Sequence, residues 1–425
     1  MKDWNTQTIA ELGKVVTGKT PPSAKPEQFG DEYPFITPSD IQFGNKHVTT
    51  ERFLSERGLE AHKRIKLPRK TICVVCIGAT IGKVSATDHL SISNQQINSI
   101  IVDSKKHDPD FVFYMASLLR STLEAYAGGA ATPIVNKGAF SKIKLQIPDR
   151  DTQRKIAAIL TAYDDLIETN KRRIALLEKM VEELYREWFV RMRFPGYQST
   201  KFVKGVPEGW CMVKLERAFE YTGGGTPSKG VNRYWHDGGV NWYTPSDITG
   251  AAGVFLSASG EQCTEEGLAR SSARLFPAYS VMLTSRATIG AIGINTTPAC
   301  TNQGFITCIP NDSYPLSYLF QWLKLAKPHF ELLSGGATFP ELTKGTFRRL
   351  EILTPPAAVI TQFDRVSAPI LKALEQILAQ NMKLTGTRDL LLPRLISGKL
   401  PVEDLEVQFP PSMRDYPAES EDACA

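Results

Sequence analysis

Between Asp151 and Phe189 the apolar positions fall at Ile156, Leu160, Tyr163, Ile167, Ile174, Leu177, Val181, Leu184 and Trp188, with Asn170 in the one gap. Steps alternating between four and three residues over more than four heptads are the seam of a coiled coil. No Pro or Gly interrupts the run. Asp151 and Thr152 can cap its start, so the pattern predicts one long helix over 151–190. A second apolar ladder at Ile370, Leu374, Ile377, Leu384 and Leu391 predicts another over 357–400, with Asn381 in its seam and Pro369 marking a late start or a kink. Two helices that each place an Asn among apolar residues can pair across it, which fixes register at some cost in stability. The expected pairing joins Leu160, Ile167, Asn170, Ile174 and Leu177 to Ile370, Ile377, Asn381 and Leu384, antiparallel because the intervening chain must return. Tyr185, Trp188 and Phe189 are left as an outward aromatic end, a candidate docking zone for partner proteins.

The remaining pattern is of short strands broken by loops. Thr71 to Val84 is a β-rich run interrupted at glycines, answered by Tyr279 to Ile292, while Phe111 to Ala125 and Tyr314 to Leu333 have helical spacing. Laying the chain on itself at an offset of 206 to 208 residues explains the correspondence. GKTPPS (18–23) matches GGTPS (224–228), FITPSDI (35–41) matches WYTPSDI (242–248), ATIG (79–82) returns at 287–290, and NQ (94–95) at 302–303. GGAATPIVNKGAF (128–140) matches GGATFPELTKGTF (335–347). The expected organisation is an α+β module over 1–150, a long helix, a similar module over 200–356, a second long helix and a tail over 401–425. Tandem duplication implies approximate internal two-fold symmetry. The TPSD loops suit tight turns with side-chain caps.

Composition changes this picture little. The chain of 425 residues is 42% hydrophobic, enough for two cores. No apolar run approaches the roughly 20 residues that cross a bilayer, and MKDWNTQTIAELGK has no signal-peptide core, so the expectation is a soluble, cytoplasmic protein without a membrane partner. Seven Cys and six His are scattered apart from Cys73 and Cys76, which favours buried thiols over a metal site. Charge is modest: 20 Lys/Arg against 15 Asp/Glu in 1–150, 14 against 12 in 200–356, and an acidic tail with seven Asp/Glu from Glu403 onward.

Local cationic clusters are more informative. Lys63, Arg64, Lys66 and Lys70 in the first module, and Arg348 and Arg349 in the second, are candidate phosphate contacts; Arg191, Arg193, Lys201 and Lys204 follow the first helix. Gln95, Gln96 and Gln303, beside the repeated NQ, and Arg286, aligned with Gly78 just before the shared ATIG, are candidate base-edge contacts. Each patch can equally be solvated surface, and Arg286 a salt-bridged surface residue. No GxxxxGK[ST], HExxH, GxSxG or Asn-Pro-Pro-aromatic motif is present, so no catalytic residues are assigned.

These elements resemble the specificity (S) subunits of type I restriction-modification enzymes. The resemblance rests on the alternation of module and long helix, on TPSDI and ATIG, on GATFPEL before KGTFRRLEILTPP, and on helices ending ELYREWFVRMRFPG and LLLPRLISGKL. GGAATPIVNKG departs from the family's commoner order by one inserted Ala. The resemblance implies a non-catalytic scaffold with two target recognition domains, each binding half of a split sequence in double-stranded DNA. The helices would set the spacing and dock two methylation subunits, with two restriction subunits completing the complex. It implies that this chain holds no cofactor, S-adenosylmethionine, ATP and Mg belonging to the partners. Two other readings stay open: a two-lobed interaction scaffold without DNA binding, and a single-chain methyltransferase, against which the missing motifs argue.

Overall fold

A computed structural model describes residues 4–127, 133–335 and 340–414. GGAAT (128–132) of the first repeat and GATF (336–339) of the second lie outside the described residues, as does the tail beyond 414. Contacts divide the chain into two units, one formed by 1–169 with 383–425 and the other by 170–382.

Both units are built on the same antiparallel sheet. In the first, Gly13–Thr17, Ile97–Val102, Ile72–Val75 and Val84–Ala86 lie side by side in that order. In the second, Glu220–Gly223, Phe305–Ile309, Val281–Thr284 and Ile292–Asn295 repeat the order, extended by Phe255–Leu256. These central strands read as continuous apolar runs because both faces are covered: Ile72, Cys73, Val74 and Val75 are buried throughout, as are Val281, Met282 and Leu283. Helix Pro109–Ser117 packs on the first sheet and Leu316–Leu325 on the second. A two-stranded ribbon also recurs, Asn5–Thr8 with Lys144–Ile147 and Cys211–Lys214 with Glu351–Thr354, and ties the start of each module to the strand that leads into its long helix.

The first long helix spans Arg150–Tyr185, about 54 Å at 1.5 Å per residue, and its last turn widens into π geometry over Arg186–Val190. Its start is capped by Asp149, which accepts from the Thr152 N–H at 2.9 Å, rather than by Asp151 or Thr152 as the sequence suggested. The second helix, Ala357–Ile396, runs through Pro369 without a break.

Within each unit the helical segments pair antiparallel. In the second, Asn170 Nδ2 donates to Asn381 Oδ1 at 2.9 Å, and Ile174 packs with Leu374 and Leu378 while Leu177 and Ile377 flank them. In the first, Leu160 is buried with Leu395, and Ile167 is 7% exposed. The seam departs from the expected register on the second helix. Leu374 is buried as its place in the ladder predicts, but its buried neighbours are Leu371 and Leu378, whereas Ile370, Ile377 and Leu384 sit half-buried at the edge. A helix that covers a module as well as a partner helix needs a wider apolar stripe than an a/d seam, and the 3.6-residue repeat carries the buried face onto the neighbouring positions.

The aromatic end is not an outward surface. Tyr185, Trp188 and Phe189 are 4%, 8% and 6% exposed. They interlock with Tyr318 and Phe363 of the same unit, ring centroids standing 4.8 Å apart for Phe189 and Tyr318 and 5.7 Å for Trp188 and Phe363. Large amphipathic rings at the end of a helix are drawn into the adjacent module's core, where they bury the most area.

Candidate nucleic-acid interface

In each unit one pair of parallel strands brings the repeated polar loops together. Tyr33–Ile36 runs parallel to Ile92–Ser93, and Val240–Tyr243 parallel to Ala299–Thr301. Parallel neighbours end on the same side, so TPSD and NQ emerge next to one another. The junction is sealed by Asn94 N–H donating to Ile36 O at 2.9 Å, and by Asn302 N–H donating to Tyr243 O at 3.0 Å.

The loops themselves are held by matching hydrogen bonds. Asp40 accepts from both the backbone N–H and the hydroxyl of Thr37 at 2.7 Å, and Asp247 does the same for Thr244 at 2.6 Å. Asn94 Oδ1 accepts from the Gln96 N–H at 3.0 Å, as Asn302 Oδ1 does from Gly304 at 2.9 Å. GKTPPS and GGTPS lie across the NQ loops. Gly18 and Gly224 pass so close to the backbone carbonyls of residues 93–94 and 301–302 that a Cβ on either would collide with them. That approach brings the Thr20 hydroxyl to Gln95 Oε1 at 2.6 Å and the Thr226 hydroxyl to Gln303 Oε1 at 2.7 Å. Gln95 and Gln303 are exposed.

The other candidates divide. Lys63 and Arg64 stand exposed on the short turn Lys63–Ile65, and Arg348 and Arg349 are exposed after the turn Lys344–Phe347. Lys66 pairs with Glu60. Lys70 is not an exposed phosphate contact: its ammonium is 2.9 Å from Asp110, which also binds Lys46 at 2.8 Å, and the three side chains are 13%, 3% and 10% exposed. Burial, which would raise the Asp110 carboxyl, is outweighed by the two ammonium groups, which hold it below the usual range. Gln96 turns back on its own loop, its Oε1 accepting from Asn94 Nδ2 at 3.3 Å. Arg191 and Arg193 are likewise paired, with Glu183 and Glu187 at 3.0 to 3.2 Å.

Arg286 is bound to Glu341 at 2.9 Å, both side chains partly exposed. Its structural counterpart is not Gly78. Arg286 bridges to Glu341 as Ile77 bridges to Ile134, and Ser285 donates to Gly304 as Cys76 donates to Gln96. The second module lacks one residue here, which shifts the alignment read from ATIG.

Sequence reasoning passed over Thr20 and Thr226, although both lie in the matched TPPS and TPS segments. It also passed over Lys229, whose ammonium sits 3.6 Å from the Trp235 ring centroid and 2.7 Å from Glu261. Among the described residues no group of His, Cys, Asp or Glu is arranged to hold a metal, and no helix is long and apolar enough to cross a membrane.

The chain has relatives along its whole length. It is 25% identical over 418 residues to the MjaIX type I restriction enzyme specificity subunit of Methanocaldococcus jannaschii, covering 95% of each chain. It is 25% identical over 358 residues to the HindI specificity subunit of Haemophilus influenzae, covering 69% of this chain and 77% of that one. The crystal structure of a type I restriction-modification S subunit from M. genitalium shares the fold with a TM-score of 0.61 at 16% identity, over 92% of this chain and 96% of the other. The sequence model described as "Type I restriction modification DNA specificity domain" matches twice, at residues 1–179 and 207–385, one match for each repeat. With both repeats matched and the paired helices in place, the chain belongs to the family of type I restriction-modification DNA specificity proteins.

Proposed function

We propose that this chain is the non-catalytic, DNA-recognising subunit of a type I restriction-modification complex. Residues 1–150 and 200–356 act as its two target recognition domains, each reading one half of a bipartite duplex. The observation that carries this reading is the duplicated polar loop cluster. Two units that repeat the same strand order and the same loop hydrogen bonds suit two related half-sites, and loop side chains around a fixed backbone supply the donors and acceptors that read base edges. Exposed Lys63 and Arg64 in one module, and Arg348 and Arg349 in the other, supply positive charge for phosphates. Two methylation subunits and two restriction subunits are the proposed partners. S-adenosylmethionine, ATP and Mg serve those partners.

The test is replacement of residues 200–356 by the equivalent module of a relative, followed by mapping of methylated sites in cells that express the complex. One half of the recognised sequence is expected to change. A change in both halves or in neither contradicts the division of labour.

Docking of the methylation subunits is proposed for the exposed sides of the long helices, since the aromatic end is buried. Leu176 and Met180, one turn apart on the first helix, are 61% and 55% exposed. Leu176→Asp with Met180→Asp is expected to lower capture of the methylation subunit at least tenfold at an unchanged melting temperature. Full capture would move the docking surface elsewhere.

A further inference from the structure

The twin Thr and Gln pairs have a chemistry that the reading of half-sites does not by itself explain. We infer that Gln95 and Gln303, each oriented by the hydroxyl of Thr20 or Thr226, form two equivalent clamps on the phosphate backbone of DNA, one per half-site, and do not read bases. The inference rests on the proposed DNA-binding function and specifies the ligand group at this site.

Three observations carry it. The Thr hydroxyls donate to the Gln Oε1 atoms at 2.6 and 2.7 Å, which engages one of the two acceptor positions of each amide oxygen and leaves both Nε2 hydrogens as donors. A Gln that reads adenine uses Oε1 and Nε2 together, whereas a phosphate oxygen needs only donors. Second, the pair is the same in both units although neighbouring positions differ, Ile77 and Ile134 in one standing where Arg286 and Glu341 stand in the other. A feature identical in two modules suits what every half-site presents in common, and the phosphate backbone is that part of the duplex. Third, the amide is held from several directions. Gly18 and Gly224 bring the Thr-bearing segment against the NQ loop, and Lys19 N–H donates to Ser93 O at 2.8 Å as Gly225 N–H donates to Thr301 O at 2.9 Å. An exposed side chain fixed in this way loses little freedom on binding.

The experiment uses the full chain assembled with its methylation subunits, on a duplex carrying the target mapped in cells and on the same duplex singly substituted at each position. Gln95→Ala and Gln303→Ala are each expected to weaken binding roughly tenfold, by the same factor on every duplex, at an unchanged melting temperature. The slope of affinity against salt is expected to stay as in the unaltered complex, because a neutral donor displaces no counterion. Gln95→Glu, which places a carboxylate against the phosphate, is expected to lose more than Gln95→Ala. Unchanged affinity of the Ala variants overturns the clamp, and so does a loss confined to one base pair, which assigns base reading to the amide. An unaltered complex that shifts no duplex overturns the DNA reading itself, so that failure is told apart by the unaltered complex alone.

Discussion

Trp188→Asp is expected to unfold the second unit rather than to leave a folded chain that has lost a partner. Trp188 stacks edge-on against Phe363, Phe189 edge-on against Phe363 and Tyr318, and Tyr185 edge-on against Phe363 and tilted against Tyr318, with centroids between 4.8 and 5.9 Å apart. Truncating a buried Trp or Phe to Ala costs about 3–5 kcal/mol. An aspartate adds the desolvation of a carboxylate that finds no cation among these rings, and that second cost moves the loss beyond what one marginally stable unit tolerates. The readouts are near-ultraviolet circular dichroism, dominated by such packed rings, and urea unfolding. A variant with a native near-ultraviolet spectrum and an unchanged midpoint would return Trp188 to the surface and reopen the docking role first suggested by its position at the helix end.

That correction marks where the sequence stops being readable. The heptad ladder identified both long helices, and the Asn at positions 170 and 381 predicted their mutual hydrogen bond, because periodicity and a single polar break are local properties of the string. The 206 to 208 residue offset likewise paired TPSD with TPSD and NQ with NQ. Burial of an aromatic end, by contrast, depends on what lies across from it. Trp188 reads the same whether it faces solvent or Phe363, residues far apart in sequence. Lys70 shows the same limit: it lies in a short cationic run with Lys63, Arg64 and Lys66, yet only the fold reveals that Asp110 reaches it. Side-chain pairs such as Thr20 with Gln95 escape notice because 75 residues separate them and neither motif points at the other.

The buried ion pair of the first unit is the second site of large effect. Arg388 Nη1 lies 2.5 Å from Asp164 Oδ1 and 3.2 Å from Gly44 O, and both side chains of the pair are about nine-tenths buried, at 10% and 12% exposure. Asp164 also accepts from the Tyr114 hydroxyl at 2.5 Å. Burial and the adjacent Asp164 carboxylate push Tyr114 well above its ordinary pKa, so it remains a donor. Removing one partner from such a pair leaves an uncompensated charge, and Arg388→Ala is expected to cost about 3–5 kcal/mol in urea unfolding of the first unit. The repeat supplies the contrasting case. Offset by 207 residues, the positions of Asp164 and Arg388 are taken in the second unit by Leu371 and Val181, 5% and 1% exposed in an apolar core. The same helix position is therefore closed by charge in one unit and by hydrocarbon in the other. Replacing a whole buried pair by apolar residues is often neutral or stabilising, since desolvation of both ions disappears with their attraction. Asp164→Leu combined with Arg388→Val should then recover at least half of the stability lost by Arg388→Ala, with Tyr114 keeping its contact to the Thr161 hydroxyl at 3.3 Å. A double variant no more stable than the single one would mean that the loss comes from the Gly44 carbonyl and the emptied volume around Arg388 rather than from the stranded carboxylate.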